Sequence, residues 1–461
     1  MLIRKAEIGR GLSVDLRLAD GVVAEIGERL EPRPGEDVVE AMGGFLLPGL
    51  HDHHLHLLSL AASLDSIACR PGDTEERIAQ RLRSAAENAG AMLRVTSYHE
   101  SMAGEIDRVW LDGVLPDVPV RVQHRSGRLW IFNSAALEIL RRNTADLSPL
   151  ERDGEKLTGR LYDGDGWLRK ALSSTRPSLA RASALLASFG VTGVSDATAG
   201  NDRAQFQYFG RALEAGELLQ DLRVMGDASL EDVEARGDLS VGAVKFHLHD
   251  GALPSAQDLG REFAAAHEAG RGVAIHCVTL SELALTLAAL RDVGSIPDDR
   301  IEHMSICPPD FYPLLADLGV TVVTNANFVA ERGDDYLRDV AVNERGWLYP
   351  CRTVERAGIA IAAGTDAPFG IANPWPAMQA AVDRKTASGA VLGDEERLSP
   401  ERALALFLAP LDNPGGPTRH IRPGVVADLC LLDRPWAEMR RDLRACRVVL
   451  TLRKGAQIWR L

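Results

Sequence analysis

Phe45-Leu-Leu-Pro-Gly-Leu-His-Asp-His-His-Leu-His56 opens as an apolar run and closes on four histidines within six positions. Residues two apart in a strand point to the same side, so two His-x-His pairs arise, His51/His53 and His54/His56, on opposite faces. Imidazole suits Zn, Fe and Ni, and two rings aimed into one pocket are half of a tetrahedral site. The apolar residues and the Pro-Gly step before the histidines place them at the end of a buried strand rather than in a surface turn.

Downstream, apolar β-like runs alternate with Ala/Leu-rich helical runs, the pattern of βα units around a parallel sheet. Eight candidate strands can be read: Phe45–His56, Val191–Thr198, Leu222–Gly226, Ala243–Leu248, Gly272–Cys277, Arg300–His303, Val320–Asn325 and Gly358–Asp366. Helical runs such as Ala256–Ala269 and Ser281–Arg291 lie between them. The count predicts an α/β fold, a (β/α)8 TIM-like barrel. Two further strand-like runs, Leu93–His99 and Val118–His124, fall in the gap after the first strand; that gap, about residues 70–180, is read as an insertion over the barrel mouth. Short alternating stretches at both ends (Leu12–Leu18, Val22–Ile26, Ala427–Leu432, Arg447–Leu452) predict one small β-rich domain built from residues 1–47 and 421–461, leaving 48–420 to the barrel.

Active groups of such barrels sit where strands end and loops begin. His276 closes Val-Ala-Ile-His, His303 closes Asp-Arg-Ile-Glu-His, and Asp366 closes Ile-Ala-Ala-Gly-Thr-Asp. Lys245, in Val-Gly-Ala-Val-Lys-Phe-His-Leu, would be a costly ammonium in an apolar strand and would be repelled by a divalent cation beside it. Carbamylation by CO2 removes both problems, because the product is an anionic carboxylate able to bridge two metals. His247 and His249 share the face of Lys245 and are read as further ligands or neighbours.

With 52 Lys+Arg against 65 Asp+Glu the net charge is −13, so no clustered positive footprint for nucleic acid is expected. The six cysteines form no CxxC pair, which excludes a zinc ribbon or redox motif. The start lacks the apolar core of a signal peptide, and no run approaches a membrane span. A cytoplasmic protein acting on a small molecule, without nucleic-acid or membrane partners and assembling as a homodimer if at all, is the expectation.

The sequence resembles the amidohydrolase superfamily of metal-dependent hydrolases, and within it the amidohydrolase family 3 branch, which includes the N-substituted formamide deformylase-like proteins. The resemblance spans nearly the whole chain. It rests on Pro48-Gly-x-x-Asp52-x-His54-x-His56, Gly190-Val-Thr-Gly-Val, Val244-Lys245, Ile275-His276, Asp299-Arg-Ile-Glu-His303, Gly364-Thr-Asp366-Ala-Pro-Phe, Ser399-Pro-Glu-Arg-Ala-Leu and Gly424-Val-Val-Ala-Asp428-Leu. It selects His54 and His56 of the two pairs. It implies a metal centre of His54, His56, carbamylated Lys245, His276, His303 and Asp366, holding one or two divalent ions, zinc first among them. It implies a composite β-sandwich from both termini. The implied reaction is hydrolysis of an amide or cyclic-amide C–N bond with Asp366 as general base and acid. Lactone or ester hydrolysis and deamination of an aminated heterocycle at the same centre are the nearest alternatives, and a non-catalytic barrel subunit is the third. Glu302 is expected on the opposite strand face from His303, as a structural residue.

Two departures from the branch stand out. Asp250-Gly251 follows Lys245 by five residues rather than four, and Arg128 stands where the branch has histidine before its Asn-Ser. Together with His99, Trp130 and Asn133, Arg128 is expected to line the substrate side.

Overall fold

Gly49 is the only residue between the strand Leu46–Pro48 and β1 (Leu50–Leu55), so the terminal β-domain leads directly into the strand that carries the histidines. In the computed structural model, which describes all residues except 10, 71, 88–91 and 173–175, eight parallel strands form one sheet. After β1 come β2 (Val191–Asp196), β3 (Asp221–Gly226), β4 (Leu239–His247), β5 (Val273–Cys277), β6 (Arg300–His303), β7 (Thr321–Thr324) and β8 (Ile361–Ala363). Strands β1, β2 and β6 are buried along their whole length, as expected of parallel strands covered on both faces. The fold is the expected TIM-like barrel with additional sheets.

The segment after β8 turns back onto β1. Asp366 N–H donates to the His54 carbonyl at 2.7 Å, and His56 N–H donates to Ala367 O at 2.8 Å. Asp52 reinforces the junction, accepting from Thr365 N–H at 3.0 Å and from Thr365 Oγ1 at 2.6 Å. Gly364 permits this approach, because a Cβ there would stand 2.5 Å from both Cβ and N of His54.

Both termini supply the β-domain. One four-stranded sheet holds Leu2–Ile8, Leu12–Ala19, Val22–Gly27 and Val38–Glu40; the other holds Leu46–Pro48, Leu429–Leu432, Val448–Arg453 and Ala456–Arg460. Their inner faces share one apolar core, with Leu16 and Val23 from the first sheet and Leu46, Leu429 and Leu450 from the second.

The chain divides into two compact units, Met1–Leu57 with Leu179–Leu461, and Leu58–Ser178. The second unit is organised around a six-stranded mixed sheet that includes Leu93–Tyr98, Val120–His124 and Leu129–Phe132. Among the described residues no helix is long and apolar enough to cross a membrane.

Candidate metal centre

His54, His56 and Asp366 each turn a ligand atom toward the others, and those three atoms lie within 4.8 Å of one another. His56 Nε2 is 3.2 Å from Asp366 Oδ1, and His54 Nε2 is 3.5 Å from the same oxygen. Asp366 reaches this position with a left-handed backbone, φ +55°, which a non-glycine residue rarely adopts. The strand end is thereby turned so that its carboxylate meets the β1 histidines.

Each imidazole is held by its other nitrogen. His56 Nδ1 lies 2.9 Å from Thr198 Oγ1. His54 Nδ1 meets Glu302 Oε2, and Arg300 braces that carboxylate from behind with Nε at 2.5 Å from Oε1. His303 Nδ1 lies 2.8 Å from Asn325 Oδ1, while the Asn325 amide nitrogen donates to Gly364 O at 2.8 Å. Because that amide nitrogen is already committed, its oxygen is the acceptor for His303, so Nδ1 carries the proton and Nε2 is left as a ligand atom.

The other expected ligands continue from this group. The His303 ring centroid is 4.7 Å from that of His54 and 4.6 Å from that of His276. The His276 ring is in turn 4.3 Å from His247, which is 4.5 Å from His249. Six imidazoles from β1, β4, β5 and β6 and the loop after β4 therefore form a continuous row. Lys245 is 7% exposed and its Nζ is buried without a hydrogen-bond partner. Two positions earlier on its face stands Ala243, and two before His276 stands Ala274; both belong to a small buried cluster with Met225 and Ala197. Small side chains at that level leave room for the polar level above.

Charge is concentrated here. Burial raises the Glu302 and Asp366 carboxyls, but the groups facing them (Arg300, His54 and Lys245 for Glu302; hydrogen bonds from His54 and His56, then the His54 and His303 rings, for Asp366) outweigh it and hold both well below the usual carboxylate range. Burial disfavours protonation of His54, yet Glu302 and Asp366 overcome it and hold the ring above its ordinary value. Burial also lowers Lys245, against the pull of Glu302, and it pushes His303 down to about 3. The site thus gathers two carboxylates held in the ionised form, a His54 ring that they favour as the cation, and a His303 ring and a Lys245 amine that burial shifts away from charge.

A divalent cation fits these residues. His54 Nε2, Lys245 Nζ and Asp366 Oδ1 are all buried without a hydrogen-bond partner. Buried polar atoms are ordinarily satisfied, so unpartnered donor atoms at His54 and Asp366, in one group with His56, suit a cation.

Glu302 corrects the sequence reading. Strict alternation along β6 puts it on the face away from His303, but His303 and Met304 have φ of +67° and +44°. The alternation breaks there, and Glu302 and His303 both reach His54. Thr198 and Asn325 were also missed as supports, although each is the polar residue closing an expected strand. His51 and His53 stand apart from the metal group: His51 Nδ1 donates to Ala409 O at 3.0 Å, and the wholly buried His53 ring has no hydrogen-bond partner.

The residues expected on the substrate side all belong to the second unit. Asn133 is fully buried; its amide nitrogen donates to Leu115 O and Val118 O at 2.9 and 2.8 Å, and its oxygen accepts from Val120 N–H and Ala136 N–H, both at 2.9 Å. These bonds saturate the side chain and cap the helix Ser134–Asn143. Trp130 donates Nε1–H to Asp165 at 2.6 Å between the guanidinium groups of Arg94 and Arg121. Arg128 forms a bidentate pair with Asp163 at 2.8 and 2.7 Å. His99 meets Glu100 and His124.

Residues 37–459 match the model of the amidohydrolase family. The chain belongs to that family. It is 26% identical to the N-substituted formamide deformylase of Arthrobacter pascens, over 98% of this chain and 96% of the relative. Among solved structures it is similar to an uncharacterised metal-dependent hydrolase of Pyrococcus horikoshii, with a TM-score of 0.76, 21% identity and 99% of each chain covered. It is also similar to the 5-methylcytosine deaminase of Klebsiella pneumoniae, with a TM-score of 0.57, 17% identity, and 100% of this chain and 98% of that one covered. This amidohydrolase is accordingly an enzyme of the class that hydrolyses carbon–nitrogen bonds.

Proposed function

We propose that this amidohydrolase cleaves the amide C–N bond of a small N-acyl compound, with N-substituted formamides as the first class to try. The metal group of His54, His56 and Asp366 carries the reading, and the formamide deformylase relative, matched over nearly its full length, supports the substrate class. His54, His56, His276, His303 and Asp366, together with Lys245 as its carbamate, would hold one or two divalent ions. Zinc suits a nitrogen-rich set with carboxylates, and it supplies the Lewis acidity that polarises a carbonyl and makes water reactive near neutral pH.

The chain's own groups supply the rest. Asp366 is ionised and accepts a proton from the attacking water, then returns it to the leaving nitrogen, so that amide and water become acid and amine. If only one ion is bound, His303 or His276 would instead help hold the carbonyl oxygen. Glu302 and Asn325 act through His54 and His303 as positioning residues. Lys245 becomes a ligand when its neutral amine adds CO2 and releases one proton.

The test is a chelated and zinc-reconstituted enzyme offered N-substituted formamides, cyclic amides, lactones and aminopyrimidines, with products separated by mass. Hydrolysis of the formamides that vanishes on chelation and returns with zinc is expected. Asp366→Asn should keep its zinc and lose roughly 10²–10⁴-fold in kcat. Full turnover in that variant removes Asp366 as the base, and release of ammonia from an aminopyrimidine alone makes the enzyme a deaminase.

A further inference from the structure

The second unit contains a further group of ligand side chains that shares no residue with the barrel set. Within this unit His-x-Ser occurs twice, as His99-Glu-Ser101 and His124-Arg-Ser126. His124 closes one parallel strand and His99 directly follows its neighbour. Tyr98 pairs with His124 in register, and Arg125 N–H donates to Tyr98 O at 2.7 Å. The two rings therefore stand side by side at the carboxyl edge of two parallel strands, 5.4 Å apart and inclined by 34°. That edge is where open α/β sheets bind ligands.

Both Nε2 atoms flank one carboxylate: His99 Nε2 is 3.4 Å from Glu100 Oε1, and His124 Nε2 is 3.1 Å from Glu100 Oε2. The opposite nitrogens are held alike, His99 Nδ1 at 2.8 Å from Ser101 Oγ and His124 Nδ1 at 2.7 Å from Ser126 Oγ. The backbone N–H of each serine also donates to that nitrogen, at 3.2 and 3.1 Å, so two groups of the same residue hold each ring in place. The serine hydroxyl beside each ring can turn to accept from Nδ1–H when Nε2 takes a ligand, which is how partners behind a metal ligand orient it. The histidine side chains are 14% and 17% exposed and Glu100 is 56% exposed, so the group is held on the protein side and open on the carboxylate side.

We propose that His99, Glu100 and His124 form a second binding site for a divalent transition metal. Two imidazoles and one carboxylate are a three-donor set that leaves a coordination position for water or an exogenous ligand, and nitrogen donors favour zinc, nickel or copper over magnesium or calcium.

The test is metal stoichiometry on the full-length protein, dialysed against micromolar free zinc and counted per chain by mass spectrometry of the element. The double variant His99→Ala/His124→Ala should retain the barrel zinc and hold one equivalent less than the parent, and Glu100→Gln should bind the second equivalent about 10-fold or more weakly. Equal stoichiometry in parent and double variant overturns the site. Should the double variant fail to fold, zinc-edge anomalous scattering from zinc-soaked crystals of the parent protein decides: a peak between the two Nε2 atoms supports the site and its absence overturns it. Because the readout is a difference between two proteins, it holds whether or not the barrel ligands bind as proposed.

Discussion

Glu302 grips His54 by its Nδ1 while Arg300 grips Glu302, so the His54 ring is fixed by an ion pair buried in the barrel. Removing the carboxylate frees the ring to rotate and strands Arg300 without its partner. Glu302→Ala should therefore lower zinc affinity by ~10–100-fold, measured by competition with a chromophoric chelator, with Glu302→Gln falling between it and the parent. Unchanged affinity in both variants would make Glu302 a packing residue only.

Lys245 is the one buried amine among these groups, and burial shifts it toward the neutral form that reacts with CO2. Lys245→Ala should lose zinc binding and activity by ~100-fold or more, beyond the effect of an outer partner. Propionate added to that variant should restore part of both, by supplying the missing carboxylate. Native mass spectrometry of the parent should show the mass of one CO2 that the variant lacks.

Gly364 touches the histidine strand more closely than any side chain would allow. Its Cβ would meet the backbone nitrogen of His54, which cannot swing away as a side-chain tip could. Gly364→Ala should cost about 1–3 kcal/mol in urea unfolding and weaken zinc binding at the same time, because the same shift moves both strands. A stable variant with intact zinc affinity would show that the barrel closure tolerates widening.

His53 makes the metal-free protein sensitive to acid. Burial first, then Arg300 and Arg419, push it from an ordinary 6.5 down to about 3. Between those values the unfolded chain binds a proton that the folded chain does not, so stability rises with pH through this window. It is full above about 6.5 and is lost as pH falls toward 3. His53→Gln should flatten the dependence of unfolding free energy on pH by about 1.4 kcal/mol per pH unit in that range. A slope unchanged from the parent would place the acid sensitivity in other groups.

The barrel was legible because its strands are buried on both sides: an apolar run that stops abruptly at His276, His303 or Asp366 marks both the strand and its functional end. The family resemblance, rather than periodicity, separated His54/His56 from His51/His53. Glu302 was hidden because its direction depends on a backbone angle at the following residue, and a left-handed histidine leaves no mark in composition or spacing. Asn133 illustrates the opposite case. It stands in a recognisable motif, yet its amide is spent on Leu115, Val118, Val120 and Ala136, contacts set by tertiary structure alone.

The hydrogen bond from Asp366 to the His54 carbonyl has a consequence for biogenesis. Asp52 and Thr365, which brace that junction, are separated by 313 positions. A growing chain that has made β1 therefore carries His54 and His56 but cannot bring Asp366 to them until the segment after β8 has been made. A product truncated before that segment should have the histidines without their carboxylate, and should not hold the ion proposed for the closed group.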